Sequence, residues 1–165
     1  MWSEQKKSWF CQQVTQYRDS LYWVAYGILK NDADAQDAIS EAVLQAYQSL
    51  HSLRSPEAFR SWMMTILTRI CCRMARGRPP AVELEEVADQ LSGPETDVER
   101  SLTLRSAVQS LPLEYRAVVV LYYYEQMDVR AIARTLEVRP DTVKKRLSRA
   151  RVRLRELLNP QEVMA

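Results

Sequence analysis

Apolar positions in this chain recur at helical intervals. Tyr17, Leu21, Val24 and Ile28 follow one another at steps of four, three and four, which stacks them on one helical face. Asn31-Asp32 then marks a turn, and Asp34 stands where a side chain caps the next helix. That second helix carries a wide apolar stripe of Ala35, Ala38, Ile39, Ala42, Val43, Ala46, Tyr47 and Leu50. Past the loop from His51 to Arg54, Ser55-Pro56 offers a cap and a first-turn proline for a third helix. Phe59, Trp62, Met63, Ile66, Ile70 and Met74 share its buried side. Alternation of the strand type is too short to build a sheet, so the pattern predicts an all-α protein.

Helical periodicity breaks at Gly77-Arg78-Pro79-Pro80 and again at Gly93-Pro94. The breaks divide the chain into an N-terminal helical domain (1–76), a linker (77–100) and a C-terminal domain (101–165). Within the last, Val129 to Arg151 reads as two helices joined by a tight turn, a helix-turn-helix. Ile132, Leu136, Val138 and Val143 fill its small core, Leu147 extends that face, and Ala133 permits close approach. Pro140 starts the second helix. Glu137 occupies the turn position where a left-handed backbone favours glycine, at a strain of roughly 1–2 kcal/mol for other residues.

Charge separates the three parts. Lys and Arg against Asp and Glu number nine to seven over 1–76, two to seven over 77–100, and twelve to seven over 101–165. The middle part, with Glu83, Glu85, Glu86, Asp89, Glu95, Asp97 and Glu99, is an acidic linker. Polar residues interrupt the first dozen positions, against a signal peptide, and no apolar run is long enough to span a bilayer. The expectation is a cytoplasmic chain without direct membrane insertion. Cys11, Cys71 and Cys72 lack zinc-ligand spacing and read as small core residues. With His51 the sole histidine, no metal or cofactor is expected.

Three polar faces remain. The second helix exposes Asp37, Ser40, Glu41 and Gln45 opposite its apolar stripe. On the third, Ser61, Thr65, Thr68, Arg69, Arg73 and Arg76 gather hydroxyls and guanidinium groups at helical spacing, a mixture suited to phosphates and base edges. The second helix of the helix-turn-helix presents Thr142, Lys144, Lys145, Arg146, Arg149, Arg151, Arg153 and Arg155, a face that a DNA major groove accepts. No nucleophile, base and oxyanion set and no phosphate-binding glycine loop appears, which argues against an enzyme and against a small-molecule substrate.

Four segments in this order resemble bacterial RNA polymerase sigma factors of the extracytoplasmic-function group: Asp34 to Tyr47 (DAQDAISEAVLQAY), Phe59 to Ile66 (FRSWMMTI), Leu111 to Arg116 (LPLEYR) and Asp141 to Arg151 (DTVKKRLSRAR). The resemblance runs from about Tyr17 to Leu158. It implies a dissociable subunit that binds core RNA polymerase, directs it to promoter DNA and assists opening. By that likeness Asp37, Ser40 and Glu41 dock on the polymerase clamp. Arg60, Ser61, Thr65, Thr68, Arg69, Arg73 and Arg76 serve the −10 element and its separated strand, and Thr142, Lys144, Lys145, Arg146, Arg149 and Arg151 the −35 element. Arg69 stands where the family often has asparagine, Ser40 where it often has glutamine, and Arg139 and Lys145 replace small residues. The resemblance also implies an anti-sigma partner, and the acidic linker suits the basic channel that leads RNA out of the polymerase. The alternative is a conventional helix-turn-helix regulator whose N-terminal half dimerises or senses, and which finds its operator unaided.

Overall fold

The computed structural model describes residues 4–77 and 97–158, with backbone only for 97–102. The N-terminal half contains α1 (Glu4–Gln16), α2 (Arg18–Leu29), α3 (Asp32–Gln48) and α4 (Phe59–Arg76), with 3-10 turns at Leu50–Ser52 and Pro56–Ala58. The C-terminal half contains α5 (Asp97–Ser110), α6 (Leu113–Val119) with a π-helical continuation over Val120–Tyr124, α7 (Val129–Leu136) and α8 (Pro140–Leu158). Among the described residues there is no strand. Glu83, Glu85, Glu86, Asp89 and Glu95 lie outside the described residues, whereas Asp97 and Glu99 belong to the start of α5.

Helix α1 is an addition to the three helices expected of this half. Its sequence is mostly polar and only Phe10 is buried, so periodicity gives little sign of it. Aromatic contacts hold it: Trp9 and Phe10 meet the Phe59 ring edge-on, with centroids 5.5 and 6.0 Å away, and Phe10 also meets Tyr47. The cap of α3 is Asn31, whose side-chain oxygen accepts from Asp34 N–H at 2.9 Å, so Asp34 lies inside the helix it was expected to start. The reason is the preceding residue: Lys30 closes α2 in the left-handed region (φ 66°), leaving Asn31 extended at the cap. Ser55 makes no side-chain cap, and Pro56 opens a 3-10 turn that runs directly into α4.

Helices α2, α3 and α4 pack on one another, α8 packs on both α6 and α7, and the two groups meet where α4 lies on α7 and α2 on α6. A large core runs across both groups, and a small second cluster of Leu111, Val119 and Ala150 lies in the C-terminal half. Leu21, Ile28, Phe59, Met63 and Leu67 belong to the same apolar cluster as Val118, Leu121, Ile132 and Val143. Helix α4 therefore buries more of its circumference than one stripe: Met64, Leu67, Thr68, Cys71 and Cys72 are buried as well. Cys71 and Cys72 are core thiols as expected, but Cys11 is exposed, because α1 turns Phe10 inward instead.

Candidate nucleic-acid interface

The C-terminal half supplies a rigid mount for a basic helix. Asp128 caps α7, its carboxylate accepting from Ala131 N–H at 2.7 Å. Glu137 takes the left-handed conformation (φ 59°, ψ 45°) that the turn demands. The chain is held there by Val138 N–H donating to the Ala133 carbonyl at 3.0 Å, and by Ile132, Val143 and Leu147 buried on either side. Pro140 begins α8, whose buried line Val143, Leu147 and Ala150 leaves Lys144, Lys145 and Arg149 exposed on the other side.

Not every expected cation stands equally free. Thr142 is half-buried, and the Arg146 side chain is only 20% exposed, with Nη2 3.9 Å from Glu114. Arg151 is exposed but folds back: its Nε–H donates to the Tyr123 hydroxyl at 2.6 Å, with the guanidinium over the rings of Tyr122 and Tyr123. Arg153 lies over Tyr115 in the same manner. Lys144, Lys145 and Arg149 thus form the open centre of the basic face.

The polar side of α4 departs from the exposed stripe expected of it. Ser61, Arg69, Arg73 and Arg76 are exposed, but Thr68 is fully buried, and its hydroxyl finds no hydrogen-bond partner. The Thr65 hydroxyl shares a hydrogen bond with that of Thr135 in α7 at 3.0 Å. Arg69 donates through Nε to the Thr135 carbonyl and through Nη2 to the Arg134 carbonyl, both at 3.0 Å, so it caps the C-terminal end of α7. Arg60 is likewise committed: its Nε–H donates at 2.7 Å to Glu125, a carboxylate whose side chain is only 2% exposed. Burial pushes the Glu125 carboxyl above its ordinary range, and Arg60 draws it partly back. Helical periodicity shows that one face of α4 is polar, but not that a second group of helices covers it.

On α3, Asp37, Ser40 and Glu41 are exposed together, and the structure adds Leu44 to that face, 59% exposed. Its spacing from Ser40 and Glu41 could have signalled this, since four and three residues share a helical face. Glu41 pairs with Arg73, joining the polar surfaces of α3 and α4. The loop before α4 and the start of α1 border a shallow, open hollow of about 410 Å³ lined by Gln5, Trp9, Leu50, Leu53, Arg54 and Pro56. Trp62 packs on Phe59 and donates Nε1–H to the Ser52 hydroxyl at 3.3 Å, bracing that loop. Among the described residues no three His, Cys, Asp or Glu side chains cluster as metal ligands, and no helix is long and apolar enough to cross a membrane.

An all-α chain that holds out a cationic recognition helix and carries a second arginine-rich helix in its other half is a two-part DNA-binding protein. Residues 13–79 match the family described as Sigma-70 region 2, and residues 101–154 match that described as Sigma-70, region 4. The chain is 28% identical over 151 residues to RNA polymerase sigma factor SigV of Bacillus subtilis, covering 91% of each. It is 32% identical over 154 residues to ECF RNA polymerase sigma factor SigM of Mycobacterium tuberculosis, covering 90% of this chain and 76% of that one. Its fold matches the sigma factor RpoE, solved in complex with the anti-sigma factor NepR from Bartonella quintana, at a TM-score of 0.73 and 23% identity, over 92% of this chain and 98% of that one. The chain belongs to the extracytoplasmic-function sigma factors, initiation factors that direct RNA polymerase to promoters.

Proposed function

We propose that this sigma factor divides its work among the three faces described. Residues 1–76 dock on core polymerase through Asp37, Ser40, Glu41 and Leu44 of α3, where carboxylates ring one exposed leucine: a small apolar anchor with a polar rim. The same domain takes the −10 element on α4, through Ser61, Arg69, Arg73 and Arg76, whose side chains reach solvent, with half-buried Thr65 beside them. The hollow beside Trp9 and Leu53 has the apolar walls and polar rim that suit a base turned out of the stack. Residues 101–165 read the −35 element with α8, and the acidic stretch between the domains joins them. The observation that carries this reading is the exposed set Lys144, Lys145 and Arg149 on a helix fixed by a helix-turn-helix.

RpoE and CnrH, which share this fold, were solved with the anti-sigma factor NepR and with the cytosolic domain of CnrY. A protein partner of that kind fits this chain as well. The reading places the chain in the cytoplasm, beside the polymerase and the DNA, with no catalysis of its own.

Purified chain added to core RNA polymerase on a pool of genomic promoter fragments is expected to start transcripts at specific sites that neither component produces alone. Replacing Asp37 and Glu41 together by Lys is expected to weaken core binding roughly tenfold or more while leaving α8 able to hold DNA, as like charges then face the basic partner. Unchanged core affinity would remove α3 from the docking surface, and site selection without polymerase would make the chain a conventional regulator.

A further inference from the structure

We infer that Tyr123 is a positioning residue for −35 binding: with Tyr122 it seats Arg151 in advance as a phosphate contact on one flank of α8, and Arg153 over Tyr115 is its counterpart on the other flank. The inference rests on the −35 role proposed for α8 and divides the work within that helix. Arg151 is held twice. Its guanidinium carbon lies 5.9 and 5.7 Å from the ring centroids of Tyr122 and Tyr123, and its Nε–H donates to the Tyr123 hydroxyl at 2.6 Å. Arg153 stands 5.3 Å from the Tyr115 centroid. The Tyr122 and Tyr123 rings meet edge to face at 4.9 Å, which braces the two against each other. Both belong to the π-helical turn of Val120–Tyr124, an irregularity that helices frequently carry at functional sites.

Position around and along α8 says what these arginines meet. At about 100° per residue, Lys145 lies opposite the buried line of Val143, Leu147 and Ala150, whereas Arg151 and Arg153 stand roughly 70° and 90° to either side of that line. They also lie about 9 and 12 Å beyond Lys145 along the axis, at about 1.5 Å per residue. A recognition helix reads base edges with its N-terminal residues, in a groove about 12 Å wide, so exposed flank positions about two turns further on face the two sugar-phosphate walls. The Tyr123 bond occupies only the Nε–H of Arg151 and leaves its two Nη groups, which suit phosphate oxygens. An unrestrained arginine surrenders rotamer freedom when it grips a phosphate. One already seated on rings has surrendered it in the folded chain. Lys145 and Arg149, nearest the line opposite the core, remain for the bases.

Holoenzyme assembled from core polymerase and the Arg151→Ala/Arg153→Ala chain tests the phosphate assignment, on promoters that differ in their −35 sequence and over a series of salt concentrations. Affinity should fall by the same factor on every promoter, roughly tenfold or more, and the slope of log affinity against log salt should flatten by about two units, nearly one for each phosphate. A loss that depends on the base at one −35 position, or an unchanged slope, overturns the assignment. A double-mutant cycle tests the seat. Tyr123→Leu should lower promoter affinity about threefold in the native chain and leave it unchanged in the Arg151→Ala chain, because the tyrosine acts on DNA only through that arginine. Equal losses in both backgrounds, or no loss in the native one, overturn the positioning role. Should Tyr123→Leu unfold the chain, Tyr123→Phe, which removes only the hydroxyl that holds Nε, takes its place in the cycle with the same outcomes. Native holoenzyme that ignores the −35 sequence altogether would instead defeat the role of α8 on which the inference rests.

Discussion

A chain carrying Lys145→Glu and Arg149→Glu is expected to lose promoter-specific initiation by roughly 100-fold or more, while its thermal unfolding stays where it was. Both residues are exposed on α8 and make no contact with the core that fixes the helix, so the fold has little reason to respond. Each good contact to a base edge contributes about 1–3 kcal/mol, and reversing the charge adds repulsion from phosphates. The logarithmic dependence of binding on salt should also flatten by about one unit for each phosphate contact removed. Run-off transcription at several salt concentrations, set beside a melting curve, tests this. Undiminished initiation from a stable variant would move −35 recognition off this face.

Arg60→Ala is expected to cost the folded chain about 2 kcal/mol at neutral pH, since it strands the Glu125 carboxylate in a place with almost no solvent. The figure lies below that of a fully buried pair because the Arg60 side chain is half exposed. The loss must depend on pH. Burial already raises the Glu125 carboxyl in the folded protein, and without Arg60 it rises further. A group whose folded pKa is raised lends its stability below the unfolded value and loses it as pH rises through the folded one. The deficit of the variant should therefore be small where the carboxyl is protonated in both proteins and widen as pH rises to neutrality. Urea unfolding of both proteins at acidic and neutral pH measures it. A deficit independent of pH would mean that the lost packing of Arg60 over the Tyr17 ring, and not the stranded charge, is responsible.

The residues that sequence exposed and those it concealed differ in physical kind. The helix-turn-helix was legible to the turn residue: Ile132, Val143 and Leu147 repeat at helical intervals, Pro140 starts a helix, and Glu137 does adopt the left-handed backbone assigned to it. Side-chain periodicity carries such information because a helix repeats its own geometry. The cover over α4 was not legible, because its acceptors are the main-chain carbonyls of Arg134 and Thr135, groups every residue possesses. Thr68 shows the same limit. A threonine on a polar stripe reads as solvent-facing until a second group of helices is laid on it. Helix α1 escaped because its anchors, Trp9 and Phe10, are neighbours in sequence and form no periodic stripe, and their partner Phe59 lies far along the chain.

The placement of the three cysteines makes the chain its own gauge of folding. Cys11 meets solvent on α1, while Cys71 and Cys72 lie within α4, where burial pushes both thiols above their ordinary range. A maleimide dye at neutral pH therefore finds one nucleophile on the native molecule and three on the unfolded chain. Brief labelling read by intact mass sorts a population into singly and triply modified molecules. The ratio of the two counts the folded fraction directly, on the native sequence and without an engineered reporter.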